Sequence, residues 1–163
     1  MLILAHSLRE LRFGELMSVY AGSNREKAED WPDLPPMFAL QQAEEEHRAY
    51  LQEVFFQTPG AVLALWEEAG KYVSALRLEP YRDGMLLAGL ETAPAYRNRG
   101  FACALIRALQ AETGFTRIYS HVGKRNKPSM KTHEACGFRM ISDRAVYISG
   151  NVDSRCWTLL YEA

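Results

Sequence analysis

The chain has 163 residues, of which 48% are apolar, and its 19 basic and 20 acidic side chains leave a formal net charge of −1. This size and composition predict one domain spanning residues 1–163, with a full core. A charge so close to zero argues against a nucleic-acid partner, and no apolar run approaches the length of a membrane span, about 18 residues. The three cysteines are widely spaced, as expected of reduced thiols in a cytoplasmic protein without a metal site.

The first third of the chain is predicted to be helical after a short N-terminal strand. Ser7 and Glu10 have the S-x-x-E spacing of a capping box, which predicts a helix that ends at Gly22. A second helix is predicted over residues 39–56. Between the two helices, residues 22–38 form a long loop that carries Trp31 and three prolines, and such loops are usually functional or disordered. We interpret it either as a wall of a substrate pocket or as a cover for the core.

Three strands are predicted next, over residues 62–66, 72–78 and 86–90, and short turns make them an antiparallel meander. The third strand is apolar throughout, which suits a central strand buried on both faces. Gly89 lies inside this strand and Pro94 ends it, so strand pairing should fail here. Free backbone groups are therefore expected to face a gap in the sheet.

Charged residues lie on these strands and beside the gap. Arg77 and Glu79 are two apart on one strand face, and the simplest interpretation is that they pair with each other. Glu91 falls at the end of the buried strand, where ligands bind in α/β sheets. It is interpreted either as a base, acting directly or through water, or as a rim carboxylate that accepts hydrogen bonds from neighbouring backbone.

The segment after the buried strand is predicted to bind an anion. Apolar residues recur at spacings of three and four over residues 101–109, so a helix begins near Gly100. Its first turn has unpaired N–H groups, Gly100 has no side chain to keep a ligand away, and Arg97 and Arg99 flank both. Phosphate is the expected anion. The alternative is an ordinary strand-to-helix turn with solvated arginines.

The remaining elements place a second polar cluster beside the same gap. Residues 117–122 are predicted to form a strand parallel to the buried one through a right-handed crossover, and the pair is expected to diverge beyond Pro94. Asn126 is predicted to cap a short helix that carries His133 near its end. His133 either points into the gap or has a structural role. Residues 140–149 and 155–161 should form a final hairpin.

Two motifs on these elements resemble the GNAT superfamily of N-acetyltransferases. Residues 97–102, RNRGFA, are similar to its Q/R-x-x-G-x-G/A loop, which follows a strand and opens a helix. Asn126, Ser129, His133 and the Gly-Phe pair at 137–138 are similar to its N-x-x-A/S-x-x-x-Y-x-x-x-G-F pattern. The resemblance covers roughly residues 86–138 and implies one α/β (α+β) domain. Its mixed sheet would have about six to seven strands, a parallel pair splayed around the acyl-CoA site, and about four helices.

The resemblance also implies a coenzyme site and a reaction. Acetyl-CoA, as co-substrate, is expected to place its pyrophosphate on the amides of residues 98–102 and its pantetheine arm between the diverging strands. The residues implied in binding are Leu90, Thr92, Arg97, Asn98, Arg99, Gly100, Phe101, Ala102, Asn126 and Ser129. A primary amine would attack the thioester directly, with proximity supplying most of the rate.

His133 occupies the position that usually holds a tyrosine acid in that superfamily. Neutral histidine is a poor acid, so either the site raises the pKa of His133, or His133 only hydrogen-bonds the sulfur, or the thiolate leaves unaided. Glu91 acting through water is the preferred base, with Glu79 and solvent as alternatives.

Several points stay open at this stage. The acceptor is expected to be a small molecule rather than a protein, a homodimer is one outcome for the assembly, and neither a metal nor a membrane is expected to take part. The replaced tyrosine also leaves a second function open, that of a non-catalytic acyl-CoA sensor or scaffold.

Overall fold

Nine β-strands organise the chain, and seven of them form one mixed sheet with the order β1-β2-β3-β4-β5-β9-β6. The computed structural model describes all 163 residues. The strands are β1 (Leu2–Ala5), β2 (Val62–Glu68), β3 (Lys71–Tyr81), β4 (Gly84–Thr92), β5 (Arg117–Gly123), β6 (Arg139–Ser142), β7 (Ala145–Val146), β8 (Val152–Asp153) and β9 (Cys156–Glu162). Within the large sheet only β4 and β5 are parallel. Strands β7 and β8 form a separate ribbon. The predicted fold class is therefore confirmed.

Five α-helices cover the two faces of this sheet. They are α1 (Phe13–Val19), α2 (Ala21–Ala28), α3 (Pro36–Glu53), α4 (Phe101–Glu112) and α5 (Lys127–Ala135). On one face Leu105, Ile106 and Leu109 of α4 pack against the meander and β5. On the other face a second cluster joins α1 and α3 to β1, β2 and β3, for example through Leu16 and Leu51. The strand pattern that alternates between these clusters fixes which side chains face each helix layer.

The predicted N-terminal helix is interrupted, and the predicted loop is shorter than expected. Glu10 accepts hydrogen bonds from the Ser7 hydroxyl and the His6 N–H, but only one 3₁₀ turn follows. Helix α1 then begins at Phe13, and Gly22 lies inside α2 rather than at a helix end. A carboxylate from β4 stabilises the start of α2, as described below. Sequence spacing within residues 7–22 contains no sign of that tertiary contact.

The parallel pair separates earlier than the position of Pro94 predicts. The register of β4 with β5 ends at Leu87 opposite Ser120. Beyond that point Gly89 has a φ of +60°, and the register of β4 with β3 shifts between Ala75 and Arg77. This irregularity is a β-bulge, which bends a strand and releases it from a neighbour. The glycine within the strand, rather than the later proline, thus opens the gap.

Candidate active site

A hydrogen bond from the helix layer of α1 and α3 reaches the bulge of β4 at the gap between β4 and β5. The hydroxyl of Tyr20, the residue between α1 and α2, donates to the Gly89 carbonyl at 2.7 Å. Burial raises the pKa of Tyr20, so this phenol stays protonated and remains a donor. Leu90, the next residue of the bulge, has no partner in the register with β3. The bulge therefore presents backbone groups that are not committed to a β-ladder.

A cavity of about 190 Å³ occupies the gap and meets both faces of the sheet. Ser120 and His133 line it on the side of α4 and α5. Ala88 and His121 line it from the other face, because side chains alternate along each strand. Two molecules can therefore approach the same point from opposite faces.

A second cavity, of about 440 Å³, continues the gap along the α4 and α5 side. The two cavities share Leu90, Asn126 and Ser129. The second is also lined by Thr92, Arg97 and Ala102. Six residues predicted to bind the coenzyme thus lie along one groove, which runs from the gap to the first turn of α4.

The loop before α4 has the backbone conformation that an anion site needs. Asn98 and Gly100 have positive φ values of +60° and +81°. No atom lies within 4 Å of where a Cβ on Gly100 would be, so the approach to the first amides of α4 is open. Phe101 is the first residue of α4, and the Arg99 guanidinium lies over its ring and that of Tyr96. Arg99 is thus held beside this opening.

Arg97 lies between the loop and β4. Its Nε donates to the Thr92 carbonyl at 3.2 Å, and its Nη2 lies 3.9 Å from Glu91 Oε1. The Thr92 carbonyl is therefore already in use by the chain, whereas Leu90 has no such commitment. Of Leu90 and Thr92, which are both implied in coenzyme binding, Leu90 therefore has the backbone with fewer contacts within the chain.

The short helix α5 is capped as predicted. Asn126 Oδ1 accepts a hydrogen bond from the Ser129 N–H at 3.2 Å, and Pro128 lies in the first turn. This cap fixes the edge of the groove that Asn126 and Ser129 share.

His133 of α5 is buried, with 1% of its surface exposed, and both ring nitrogens are hydrogen-bonded. Nδ1 lies 2.8 Å from the Ser129 carbonyl oxygen and Nε2 lies 2.8 Å from Ser120 Oγ. A carbonyl only accepts, so Nδ1 carries the proton and Nε2 accepts from the Ser120 hydroxyl. Burial lowers the pKa of His133. The surroundings are those of a neutral imidazole that ties α5 to β5.

Glu91 accepts two hydrogen bonds and lies near one cation on its own face of the sheet. It accepts from the Ser23 N–H at 3.0 Å and the Ser23 hydroxyl at 2.8 Å, besides its contact with Arg97. Ser23 lies in the first turn of α2, where N–H groups have no partner within the helix. A Cβ on Gly22 would lie 2.8 Å from both Glu91 Oε1 and Arg97 Nη2, which explains the glycine. These contacts are those of a helix cap.

A family model described as the acetyltransferase (GNAT) family matches residues 24–138, from α2 to the end of α5. The chain belongs to the GNAT family. The match includes the bulged strand, the loop before α4 and the capped helix α5, which are the elements that build the groove. It supports an acyl-CoA-dependent acetyltransferase.

Solved structures of GNAT proteins share this fold over nearly the whole chain. PaiA N-acetyltransferase from Thermoplasma acidophilum in complex with coenzyme A is 10% identical, with a TM-score of 0.62 and coverage of 100% of this chain and 99% of that one. The ribosomal-protein-S18-alanine N-acetyltransferase from Escherichia coli is 15% identical, with a TM-score of 0.61 and coverage of 99% and 94%. Identities this low establish the fold alone, and no curated protein matched the sequence.

The chain contains no cluster of three or more side chains that could bind a metal ion. None of its helices combines the length and apolar character needed to cross a bilayer.

Trp31, Pro32 and Met37 line a cavity of about 620 Å³ between α2 and α3. That cavity shares no residue with the groove, so this part of the predicted loop covers α2 and α3 rather than the gap.

Sequence reasoning missed three residues that shape the site, namely Tyr20, Ser23 and Ser120. Tyr20 follows the apolar spacing of α1, so its burial was predictable, but its bond to Gly89 joins positions far apart in sequence. The partners of Ser23 and Ser120 are equally remote. No local pattern marks any of these contacts.

Proposed function

We propose that this GNAT protein transfers an acetyl group from acetyl-CoA to a primary amine of a small molecule. The observation that carries the proposal is the continuous groove from the gap between β4 and β5 to the first turn of α4. A narrow channel beside a bulged strand suits a pantetheine arm, and open amides at a helix start suit a pyrophosphate. The second opening of the gap, beside His121, gives the amine its own route to the same point.

The coenzyme-binding residues proposed from sequence fall into two groups along this groove. Leu90, Asn126 and Ser129 line both cavities and would contact the arm near the thioester. Thr92 lies beside Leu90 and would pair with the arm through its backbone. The residues that lie towards the loop and would bind the phosphates are Arg97, Asn98, Arg99, Gly100, Phe101 and Ala102. The Arg97 and Arg99 side chains are exposed, so their attraction for phosphate is expected to weaken with salt.

The reaction needs little more than alignment. The amine nitrogen bonds to the thioester carbonyl carbon, the carbon–sulfur bond breaks, and the nitrogen loses one proton to give the acetamide. The departing thiolate takes up a proton to give the CoA thiol. Holding the amine against the carbonyl supplies most of the acceleration. Neutral His133 has no proton to give from Nε2, so in this proposal it fixes Ser120 and α5 while the thiolate leaves without an imidazolium acid. The hypothesis of an imidazolium acid stays a prediction with its own test below.

The base is the least determined of the proposed roles. Glu91 accepts two hydrogen bonds from Ser23 and lies 3.9 Å from the Arg97 guanidinium. Glu79 lies one register step beyond the gap, where its Oε1 accepts from the Tyr50 hydroxyl at 3.5 Å. Solvent in the gap is therefore the proposed proton acceptor. Glu91 as a base acting through water stays a prediction.

Free thiol released from acetyl-CoA across a panel of primary amines tests the proposal, together with thermal unfolding in the presence of CoA. A ligand at a hundredfold excess over its Kd should stabilise the fold by about 2.7 kcal/mol. NAD, which shares the adenosine diphosphate but lacks the pantetheine arm, serves as the control and should stabilise it much less. Stabilisation by CoA without thiol release from any amine would favour the alternative, a non-catalytic sensor. Stabilisation by NAD and not by CoA would refute both.

A further inference from the structure

Arg77 of β3 is a cation without a counterion on the acceptor side of the gap. It pairs with Ala88 across the sheet, and a Cβ on Gly89 would lie 3.1 Å from its Cζ, so the guanidinium lies directly beside the bulge. Its Nε is buried and has no hydrogen-bond partner. Buried donors in native proteins nearly always have an acceptor. The missing acceptor at this position is a feature to be explained.

The neighbouring acids do not supply that acceptor. Glu79, two residues away on the same face, forms no ion pair with Arg77, which corrects the interpretation from sequence, and accepts from the Tyr50 hydroxyl instead. Glu91 is committed to Ser23 and Arg97. The Arg77 guanidinium carbon instead lies 5.1 Å from the centre of the Tyr50 ring, which orients the charge without neutralising it.

The rest of this surface is equally incomplete. His47 of α3 donates from Nδ1 to Asn24 Oδ1, at 3.2 Å, and its Nε2 is buried without a partner. His121, which lines the gap on the same face, also has a buried Nε2 without a partner. Three polar side chains on this face of the sheet thus each have a buried nitrogen for which the chain itself provides no partner. A small polar ligand would complete them.

We propose that the acceptor is an amine bearing a carboxylate on the same or the adjacent carbon, and that Arg77 binds this carboxylate. The inference rests on the proposed function, since the amine must reach the thioester within the gap. A planar guanidinium fits a carboxylate through two parallel hydrogen bonds. Because Arg77 adjoins the gap, carboxylate and amine must be close together, as in a free amino acid. A peptide N-terminus has no carboxylate at that position and is therefore disfavoured.

The test compares three matched sets of acceptors: alanine, leucine and phenylalanine, the amide of each, and the amine that each would leave on decarboxylation. For at least one set, kcat/KM for the acid should exceed that of both counterparts by about 10- to 100-fold, the scale of a charge-assisted hydrogen bond. The amide has the less basic amine, so more of it is unprotonated at neutral pH, and the preference for the acid over the amide understates the effect of the carboxylate.

Arg77→Gln should abolish this preference, and Arg77→Lys, which keeps the charge without the planar fork, should retain part of it. Arg48→Gln is the matched control. It removes a cation from α3 that lies over the Phe13 ring, 3.8 Å away, and should leave the preference intact. CoA affinity should be unchanged in all three variants, which confirms that each is folded.

Calorimetric binding of the same probes to CoA-saturated protein separates the two levels of inference. Thiol release without any preference for the acids would refute the carboxylate site and leave the proposed function standing. Tighter binding of acids through Arg77 without thiol release would support the carboxylate site and refute the proposed acetyl transfer. A preference that persists in Arg77→Gln, or no binding and no turnover of any probe, would overturn the carboxylate site.

Discussion

Buried polar groups are hydrogen-bonded on one face of the sheet, whereas several on the other face lack partners. On the side of α4 and α5, both nitrogens of His133 are hydrogen-bonded and Asn126 completes a helix cap. On the side of α1 to α3, buried nitrogens of His47, Arg77 and His121 lack partners. Groups that are hydrogen-bonded within the chain give the groove on the first face a fixed shape before any ligand binds. Unsatisfied groups favour a particular substrate, because only a suitable ligand removes their cost.

Replacing Gly100 with Val should break the coenzyme side most severely. The branched side chain would fill the open approach to the first amides of α4, and we expect CoA affinity to fall by about 100-fold or more, the equivalent of two lost charge-assisted hydrogen bonds. The φ of +81° adds backbone strain of about 1–3 kcal/mol. Calorimetry with CoA measures the affinity, and thermal unfolding measures the strain.

Gly114→Val is the matched control for that strain. Gly114 also has a positive φ, +70°, and also has no atom near its Cβ position, but it follows the other end of α4. It should lose similar stability and keep its affinity for CoA. If both variants bind CoA normally, the loop before α4 is an ordinary turn and binds no phosphate.

His133 tests whether the coenzyme side takes part in proton transfer. Since burial already keeps the imidazole neutral, kcat of the wild type should not fall as pH rises past about 6.5, the ordinary histidine pKa. His133→Ala should lower kcat roughly tenfold by loosening α5 and Ser120. It should also destabilise the fold by about 2–4 kcal/mol, because a buried hydroxyl loses its partner and a cavity forms.

The amine acceptor itself loses a proton as pH rises, which increases the rate in every variant. Comparing the wild type with His133→Tyr divides this trend out, because both use the same amine. A wild-type rate that declines above pH 6.5, while the tyrosine variant holds its rate, would identify the imidazolium as the acid and overturn the neutral role.

Local signals explain why one face was predictable. The apolar spacing of α4, the positive-φ glycine before it and the Asn126 cap are each encoded within a few residues, so the elements that line the groove follow from sequence. Contacts across the sheet are not encoded locally. Glu91 of β4 caps the start of α2. The sequence pattern alone predicted one continuous helix from Ser7 across this point, because the capping contact comes from a distant strand. The unpaired state of Arg77 was equally hidden, because spacing favoured Glu79 as its partner.

Histidines on both faces, of which His133 is buried and His47 and His121 are partly buried, should make the fold sensitive to acid. Burial lowers the pKa of His47 to about 4, and it lowers the pKa values of His121 and His133. As pH falls below about 6.5, these histidines bind protons in the unfolded chain but stay neutral in the folded chain. The stability that depends on these neutral histidines is therefore fully present above about pH 6.5 and is lost as the pH falls. The slope is up to about 1.4 kcal/mol per pH unit each for His47 and His133, and less for the half-exposed His121.

Urea unfolding at stepped pH values measures this slope. His47→Gln and His133→Gln should each reduce it, whereas His6→Gln, at an exposed position, should not. Subtracting each variant from the wild type removes the contribution of the carboxylates. Equal slopes in all four proteins would mean that the buried histidines are protonated in the folded state.

Glu91 is expected to give the smallest effect and the sharpest distinction between a cap and a base. Glu91→Gln keeps an oxygen that can accept from the Ser23 N–H but cannot take up a proton, so stability and kcat should both stay close to the wild type. Glu91→Ala removes the cap and should cost about 1 kcal/mol in urea unfolding. Ser23→Ala removes only the hydroxyl donor and serves as the matched partner variant.

A base would give the opposite order of effects. Loss of a general base lowers kcat by about 100-fold or more, and it would do so in Glu91→Gln as fully as in Glu91→Ala. A cap instead predicts that Glu91→Ala and Ser23→Ala are less than additive in the free energy of unfolding, since both remove the same contact. The Gln variant therefore decides the matter. Wild-type turnover places Glu91 with the scaffold that holds β4 against α2, and a large loss of kcat at unchanged stability places it among the groups that move protons.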